Sequence, residues 1–402
     1  MMIAWSGWMA ACAVGAGVGL TACGAGDTQR ESSAALTVAT FGDPLPGLGA
    51  VETARFAAGR EAFVEVEDIE DGLGPVFNDS ACGNCHTDPA PGGGSARLET
   101  RFGTTTDGQF DPLSELGGSL IQDHGIGRVR GCNYVGEVVP AAATIVAGRR
   151  TTPLFGLGLV DAVPDAAFLA LAAHEAEEAP DTAGTVSFVV ELSTNRVRVG
   201  KFGWKAQNPT LFQFAGDAYL NEMGITNPEF SAENCPQGDC ALLSCNPAPE
   251  LNDDGDDVAA FADFMTFLAP PPRGAIDNDV SNGEKMFQKI GCNACHTDTL
   301  STAPSSNAAL DRITFHPYSD FLLHDMGKLG DGIQQNGAAG RMMRTAPLWG
   351  LRKISTLLHD GRTSDRREAI LAHDGQGASA RDAFAALPSA QEEKVLAFLR
   401  SL

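Results

Sequence analysis

The chain has 402 residues, with 51 acidic against 28 basic side chains and a formal net charge of −23. An acidic surplus of this size argues against nucleic acid as a partner, which needs a basic face. It favours solubility and suits a basic partner protein, with the plain acidic surface of an exported protein as an equal reading, and the length allows two or three domains.

Met1 to Ala22 are small and apolar, contain no acidic residue, and end in Leu20-Thr21-Ala22-Cys23. The pattern reads as a lipoprotein signal peptide over 1–22 with Cys23 acylated, although no Lys or Arg precedes the apolar run. The expected location is therefore extracytoplasmic, in the periplasm or anchored at the outer membrane, with membrane contact only through Cys23. No later apolar run approaches the length of a span. Residues 23–51 are rich in Gly, Thr and Ser and read as a tether. A helix carrying Gly59 and Phe63 is expected from Glu52 to about Glu67.

Next comes Cys82-Gly-Asn-Cys85-His86, and the same pattern recurs as Cys292-Asn-Ala-Cys295-His296. In c-type haem attachment, two thiols at this spacing form thioethers to the vinyl groups, and the adjacent His ligates iron. A redox dithiol or half a zinc site is the competing reading of Cys-x-x-Cys. The His in both copies and the export signal favour two covalently bound haem c groups. Cys12 lies in the leader. Cys132, Cys235, Cys240 and Cys245 read as two disulfides, with three pairings open.

Residues 87–127 read as loops. Residues 186–201 alternate about Ser193-Thr-Asn195 and read as a hairpin. The acidic run 252–257 offers oxygen ligands for Ca²⁺, with a solvated loop as the plainer reading. Val258 to Leu268 has helical spacing and stops at Ala269-Pro-Pro-Pro-Arg273, which marks a domain boundary. A second helix through Gly283 and Phe287 enters the second Cys-x-x-Cys-His, and Ala390 to Leu402 closes the chain as an amphipathic helix.

The halves read as distant repeats. Each has Gly-x-x-x-Phe before its Cys-x-x-Cys-His. Each then has Arg-Thr-x-Pro-Leu-aromatic-Gly-Leu, at Arg150 to Leu157 and Arg344 to Leu351. Trp204-Lys-Ala matches His359-Asp-Gly. The expected fold is mainly α: two cytochrome c-like haem domains, 52–270 and 271–402, with long loops and a small β-hairpin insertion.

Several ordered motifs carry a family resemblance. They are Pro317-Tyr-Ser-Asp320, Leu322-Leu-His-Asp-Met-Gly327, Arg344-Thr-Ala-Pro-Leu-Trp-Gly350 and Leu358-His-Asp-Gly-Arg362 in the second half. In the first half they are Arg150-Thr-Thr-Pro-Leu-Phe-Gly156, Phe202-Gly-Trp-Lys-Ala206 and Met223-Gly-Ile-Thr226. Together they resemble the bacterial dihaem oxidoreductases, also labelled thiol oxidoreductases. That family is similar to dihaem cytochrome c peroxidases and to the dihaem enzyme of methylamine utilisation.

The resemblance implies site residues. The peroxidases place an axial Met fourteen positions after the His-Asp-Gly motif, and that position here is His373. A bis-His pair, His296 and His373, follows, with Met326 as rival ligand and a solvated helix end as the plain alternative for His373. Fourteen positions after Trp204 stands Ala218, which cannot ligate, so the first site is expected to be open. Glu222-Met223 matches a distal Glu-Met pair, which makes Glu222 the candidate acid–base group for O–O cleavage; a solvated Glu is the alternative. Trp204 resembles the interhaem tryptophan that relays electrons, against a plain core aromatic. Arg150, Arg344 and Arg362 are implied propionate partners, against local carboxylate pairing. His124 matches a displaceable His ligand loosely, and His174 reads as surface.

The implied function is a peroxidase-like dihaem c-type oxidoreductase. Electrons would pass from a small redox protein through the C-terminal haem, past Trp204, to peroxide or another small oxidant at the N-terminal haem. The alternative is a pure electron-transfer cytochrome with both haems six-coordinate. A third reading is an oxidase acting on a protein or an organic molecule.

Overall fold

The structure, a computed structural model, describes residues 40–402. The signal peptide, Cys23 and the tether as far as residue 39 lie outside the described residues. In chain order come α1 (Ala50–Val64), β1 (Leu98–Thr106), β2 (Gln109–Asp111), β3 (Ile145–Arg150) and α2 (Asp165–Glu178). The hairpin β4 (Ser187–Glu191) and β5 (Arg196–Gly200) follows, then α3 (Leu211–Met223), α4 (Asp256–Phe267) and α5 (Asn278–Lys289). The second half adds β6 (Leu323–Asp325), β7 (Met342–Arg344), α6 (Arg366–Leu371) and α7 (Ser389–Ser401).

Two helix pairs set the frame, α1 on α4 and α5 on α7. Each crossing depends on a glycine. A Cβ on Gly59 would lie 2.2 Å from the Ala260 carbonyl oxygen, and one on Gly283 would lie 1.9 Å from that of Lys394. No side chain fits there, so the backbones touch. One turn on, Phe63 packs against Phe264 with ring centroids 4.8 Å apart, and Phe287 against Phe398 at 5.2 Å. The same two rings reach the motif histidines, Phe63 to His86 at 5.9 Å and Phe287 to His296 at 6.1 Å. The Gly-x-x-x-Phe repeat is thus a contact point followed by a wedge.

The expectation of a mainly α fold is overturned. Of the described residues 35% are helix and 17% strand, a mixed α/β architecture with several small sheets. Segments read as loops carry antiparallel ladders instead. β1 pairs with β3 from Leu98↔Arg150 to Gly103↔Ile145 and with β2 from Thr104↔Asp111. Its Thr- and Phe-bearing sequence suits a pleated surface, but the glycines around it hid that signal. In the second half β6 pairs with β7, Leu323↔Arg344 and His324↔Met343. The hairpin β4–β5 forms with Ser187↔Gly200.

The repeat is visible in the hydrogen bonds. Gly156 N–H donates to Leu268 O at 3.1 Å, and Gly350 N–H to Leu402 O at 2.7 Å. Each ties an Arg-Thr-x-Pro-Leu-aromatic-Gly turn to the end of a helix, α4 or α7. Disulfides join Cys132 to Cys245 and Cys235 to Cys240. Residues 40–49, at the end of the stretch read as a tether, pack on the body, with Leu45 buried and its N–H donating to Phe267 O at 2.7 Å. Among the described residues no helix is long and apolar enough to cross a membrane.

Candidate functional site

Two cavities of nearly equal size, about 220 and 210 Å³, open on the two Cys-x-x-Cys-His turns. Such equality is what two copies of one group require. The N-terminal cavity is bounded by Cys82, Cys85 and His86, with Ala218 and Glu222 of α3 also in its wall. The C-terminal cavity is bounded by Cys292, Cys295 and His296, with Met326 and His373 in its wall. All four motif thiols are free. In both turns the His N–H donates to the carbonyl of the first Cys at 3.0 Å, which gathers two sulfurs and an imidazole on one turn of chain.

Both motif histidines are held in the ligand tautomer. His86 Nδ1 lies 3.0 Å from Gly93 O, and His296 Nδ1 lies 2.9 Å from Tyr318 O. A carbonyl only accepts, so Nδ1 carries the hydrogen and Nε2 keeps its lone pair for a metal. Burial pushes both imidazoles down to about 4, so they are neutral at pH 7.

Two buried arginines complete the fit. Arg150 reaches only carbonyls, Leu358 O from Nε and Thr151 O from Nη1, both at 3.4 Å. Arg344 does the same with Gly203 O at 2.7 Å and Thr345 O at 2.9 Å. Among the described residues neither has a carboxylate within 4.0 Å. Burial pushes both guanidinium groups down to about 10. A buried cation with no carboxylate in contact, in the wall of a cavity, fits the propionates of a haem, Asp320 acting on Arg344 only from farther off. Arg362 is not brought to either cavity; it pairs with Asp360, Nε to Oδ2 at 2.6 Å, and is half exposed.

The walls facing the motif histidines differ. His373 Nδ1 lies 2.9 Å from Ala369 O, which leaves Nε2 free in the cavity that His296 lines. Met326 is close by: a Cβ on Gly377 would meet both the His373 ring and the Met326 methyl within 3.4 Å. In the N-terminal cavity the matched position is Ala218, and the carboxyl of Glu222 stands nearby. Asn78 Nδ2 donates to Glu222 Oε2 at 2.7 Å. Burial, and the Glu99 carboxylate beside it, push the Glu222 carboxyl up to about 8.

Trp204 is buried and lines both cavities, with Nε1 donating to Arg150 O at 2.9 Å. His124 is half exposed, stacks on Phe77 at 5.6 Å and lies outside the N-terminal cavity wall. His174 is exposed on α2. The acidic run 252–257 does not gather three carboxylate ligand atoms; among the described residues the one such grouping within 4.8 Å is Cys295, Asp320 and His324. There His324 Nε2 meets Asp320 at 2.8 Å and Nδ1 lies 3.4 Å from Cys295 Sγ. Sequence reasoning missed Glu99, Arg101, Asp320 and His324. The signal for the first two was the alternation along β1, which shows only once that stretch is read as a strand.

Two matched cavities, each with a pair of thiols, a metal-ready imidazole and an unpaired buried cation, define a protein built to hold two haems. The chain belongs to the di-haem oxidoreductase family: the family described as "Di-haem oxidoreductase, putative peroxidase" matches residues 141–402. That match includes the second Cys-x-x-Cys-His and begins after the first. No curated protein matches the chain. Among solved structures it is similar to the diheme peroxidase BthA from Burkholderia thailandensis, at 14% identity over 87% of this chain and 86% of that one, TM-score 0.40. It is also similar to a MauG-like protein associated with microbial copper homeostasis, at 13% identity over 91% and 93%, TM-score 0.38. Hydrazine synthase from Kuenenia stuttgartiensis matches at 15% identity over 91% and 97%, TM-score 0.37.

Proposed function

We propose that this oxidoreductase is an extracytoplasmic, lipid-tethered peroxidase-like enzyme. In this reading a small redox protein supplies electrons at the C-terminal cavity, and peroxide or a similar small oxidant is consumed at the N-terminal one. The observation that carries it is the asymmetry at one matched position: His373 faces the C-terminal cavity and Ala218 the N-terminal cavity. The sequence halves 52–270 and 271–402 would each supply the attachment turn for one haem.

Cys82, Cys85, Cys292 and Cys295 would hold two haems as thioethers, with His86 and His296 as proximal ligands and His373 as second ligand in the C-terminal half. Arg150 and Arg344 would pair with propionates. Once bound, haem would supply the change of oxidation state and a centre at which a small molecule can react.

The chain's own residues do the rest. Peroxide needs two electrons and two protons to leave as two waters. Glu222 holds a proton at the N-terminal cavity and can give it to a leaving oxygen. Phe63, Met223, Phe261 and Met265 line the same cavity and limit water there. The Trp204 indole stands in the walls of both cavities, as an electron relay must. The acidic charge of the chain suits a basic donor protein.

Low-temperature EPR of the fully haem-loaded ferric protein, with and without cyanide, tests the reading. A high-spin signal that converts on adding cyanide is expected. Low-spin signals from both haems, unchanged by cyanide and by half-reduction, would reject peroxidase chemistry in favour of electron transfer alone.

A further inference from the structure

Three charged side chains on one sheet face share a cavity wall with the Glu222 carboxyl. Glu99 and Arg101 are two apart on β1 and share a face, and Arg149 stands directly opposite Glu99 on β3. All three line the N-terminal cavity. Arg101 grips Glu99 with two bonds, Nε to Oε1 at 3.0 Å and Nη2 to Oε2 at 3.2 Å. Arg149 stands 3.9 Å from Oε1 and is itself anchored by Asp331 at 2.8 Å.

Glu99 and Glu222 stand in the wall of the same cavity, close enough that the charge of Glu99 acts on the Glu222 carboxyl. Two buried carboxylates side by side repel each other, so one of them keeps a proton. Both cations are on Glu99, which leaves the proton to Glu222. Asn78 fixes the orientation: its Oδ1 accepts from Asp123 N–H at 3.0 Å, so its Nδ2 must be the donor to Glu222 Oε2. Oε1 is then the oxygen free to carry the proton.

The other half lacks this device. The position equivalent to Glu99 is His324, and the one equivalent to Arg149 is Met343. Glu222 lies eighteen residues after Trp204, and eighteen after His359 stands Gly377. The carboxyl pair and its arginines therefore occur only where the ligand position is Ala218.

We propose that Glu99 is a positioning residue: clamped and kept ionised by Arg101 and Arg149, it holds one proton on Glu222, so that Glu222 enters the reaction as an acid. This rests on the peroxidase-like reading of the N-terminal cavity. Other charged groups face the same space: Asp217 on α3, Asp123, and Asp79 paired with Arg97. Against its burial, Arg101 and Arg149 hold Glu99 below the ordinary carboxylate range, while Glu222 is pushed up.

The test is infrared pH titration of the ferric, haem-loaded protein with no oxidant present. The wild-type minus Glu222→Gln difference spectrum should show a protonated-carboxyl band at pH 7, which separates Glu222 from other raised carboxyls such as Glu175. In Glu99→Gln the midpoint of that band should fall by about one pH unit or more, because a neighbouring negative charge is gone. In Arg101→Gln it should rise, because a cation is gone. Glu99→Asp keeps the charge and should keep the midpoint raised. A merely structural role would not move two variants in opposite directions. Absence of that difference band, or an unmoved midpoint in Glu99→Gln, overturns the proposal; if that variant does not load haem, an Arg101→Gln midpoint that fails to rise overturns it. A normal titration in a protein that consumes no peroxide would instead remove the peroxidase reading and leave the carboxyl pair standing.

Discussion

Trp204 and His359 stand edge to face, with ring centroids 6.1 Å apart and planes at 73°. They hold matched positions in the two halves of the chain, and their carbonyls are matched too. Arg150 N–H donates to His359 O at 2.6 Å, and Arg344 N–H donates to Trp204 O at 2.9 Å. The side chains repeat the exchange, Arg150 Nε to Leu358 O and Arg344 Nε to Gly203 O. Each arginine is thus held by the main chain of the other half, one residue from the aromatic ring between the cavities.

Replacing Trp204 by Phe keeps an aromatic ring but removes the N–H that satisfies Arg150 O. A buried carbonyl left unpaired should cost about 1–3 kcal/mol of stability. Electron transfer between the sites should slow while cyanide affinity at the N-terminal site stays unchanged. Urea denaturation and stopped-flow reduction of the loaded protein measure the two effects separately.

His373 and Met326 compete for the same role, and single variants separate them. His373→Ala should convert the C-terminal haem to a cyanide-binding, high-spin form, whereas Met326→Leu should leave its spectrum intact. His373→Met should raise the potential of that haem, because thioether stabilises ferric iron less than imidazole does. The opposite pattern in EPR and redox titration would assign Met326 as the ligand.

The raised carboxyls predict a pH slope. Burial pushes Glu175 up to about 7, with the nearby Asp320 carboxylate adding to the rise, and leaves its Oε1 unpartnered. A group raised in the folded state binds its proton more tightly there than in the unfolded chain. Its stabilising contribution is complete below the unfolded value near 4.5 and is lost as pH rises through about 7. Thermal stability should therefore fall between about pH 5 and 8, and Glu175→Gln should flatten part of that slope in calorimetry.

Asp331 is fully buried between Arg149 Nη2 and Lys205 Nζ, each at 2.8 Å. Lys205 is fully buried as well and otherwise donates only to the carbonyls of Ala339, Gly340 and Met342. Asp331→Asn would leave buried cations without this counter-charge, at a cost of about 3–5 kcal/mol. It would also loosen Arg149 beside Glu99. Chemical denaturation should show the loss, and replacing Asp331 and Lys205 together by apolar residues should recover much of it.

The attachment turns, the Gly-x-x-x-Phe helices, the hairpin and the internal repeat could be read from the sequence because each is a local pattern with one physical cause. What escaped depends on partners far along the chain. Strand β1 was hidden because Leu98 and Glu99 pair with Arg150 and Arg149, some fifty residues on. The pairing of Cys132 with Cys245 follows from the fold and not from spacing. Arg362 groups with Arg150 and Arg344 by charge and resemblance, yet Asp360, two residues away, takes its guanidinium. Glu99 carried no signal until its strand, its two arginines and Glu222 were seen together.

The crossed bonds of Arg150 and Arg344 follow the rule of a two-fold dimer, in which residue i touches j and j touches i, although both partners lie in one chain. Such a frame has no built-in direction: exchanging the halves would leave the main-chain contacts as they are. On the proposed reading, the difference between an entrance and an exit for electrons would lie in a handful of side chains, Ala218 against His373, Glu222 against Gly377 and Trp204 against His359. On that reading a few substitutions at these positions would redraw the polarity.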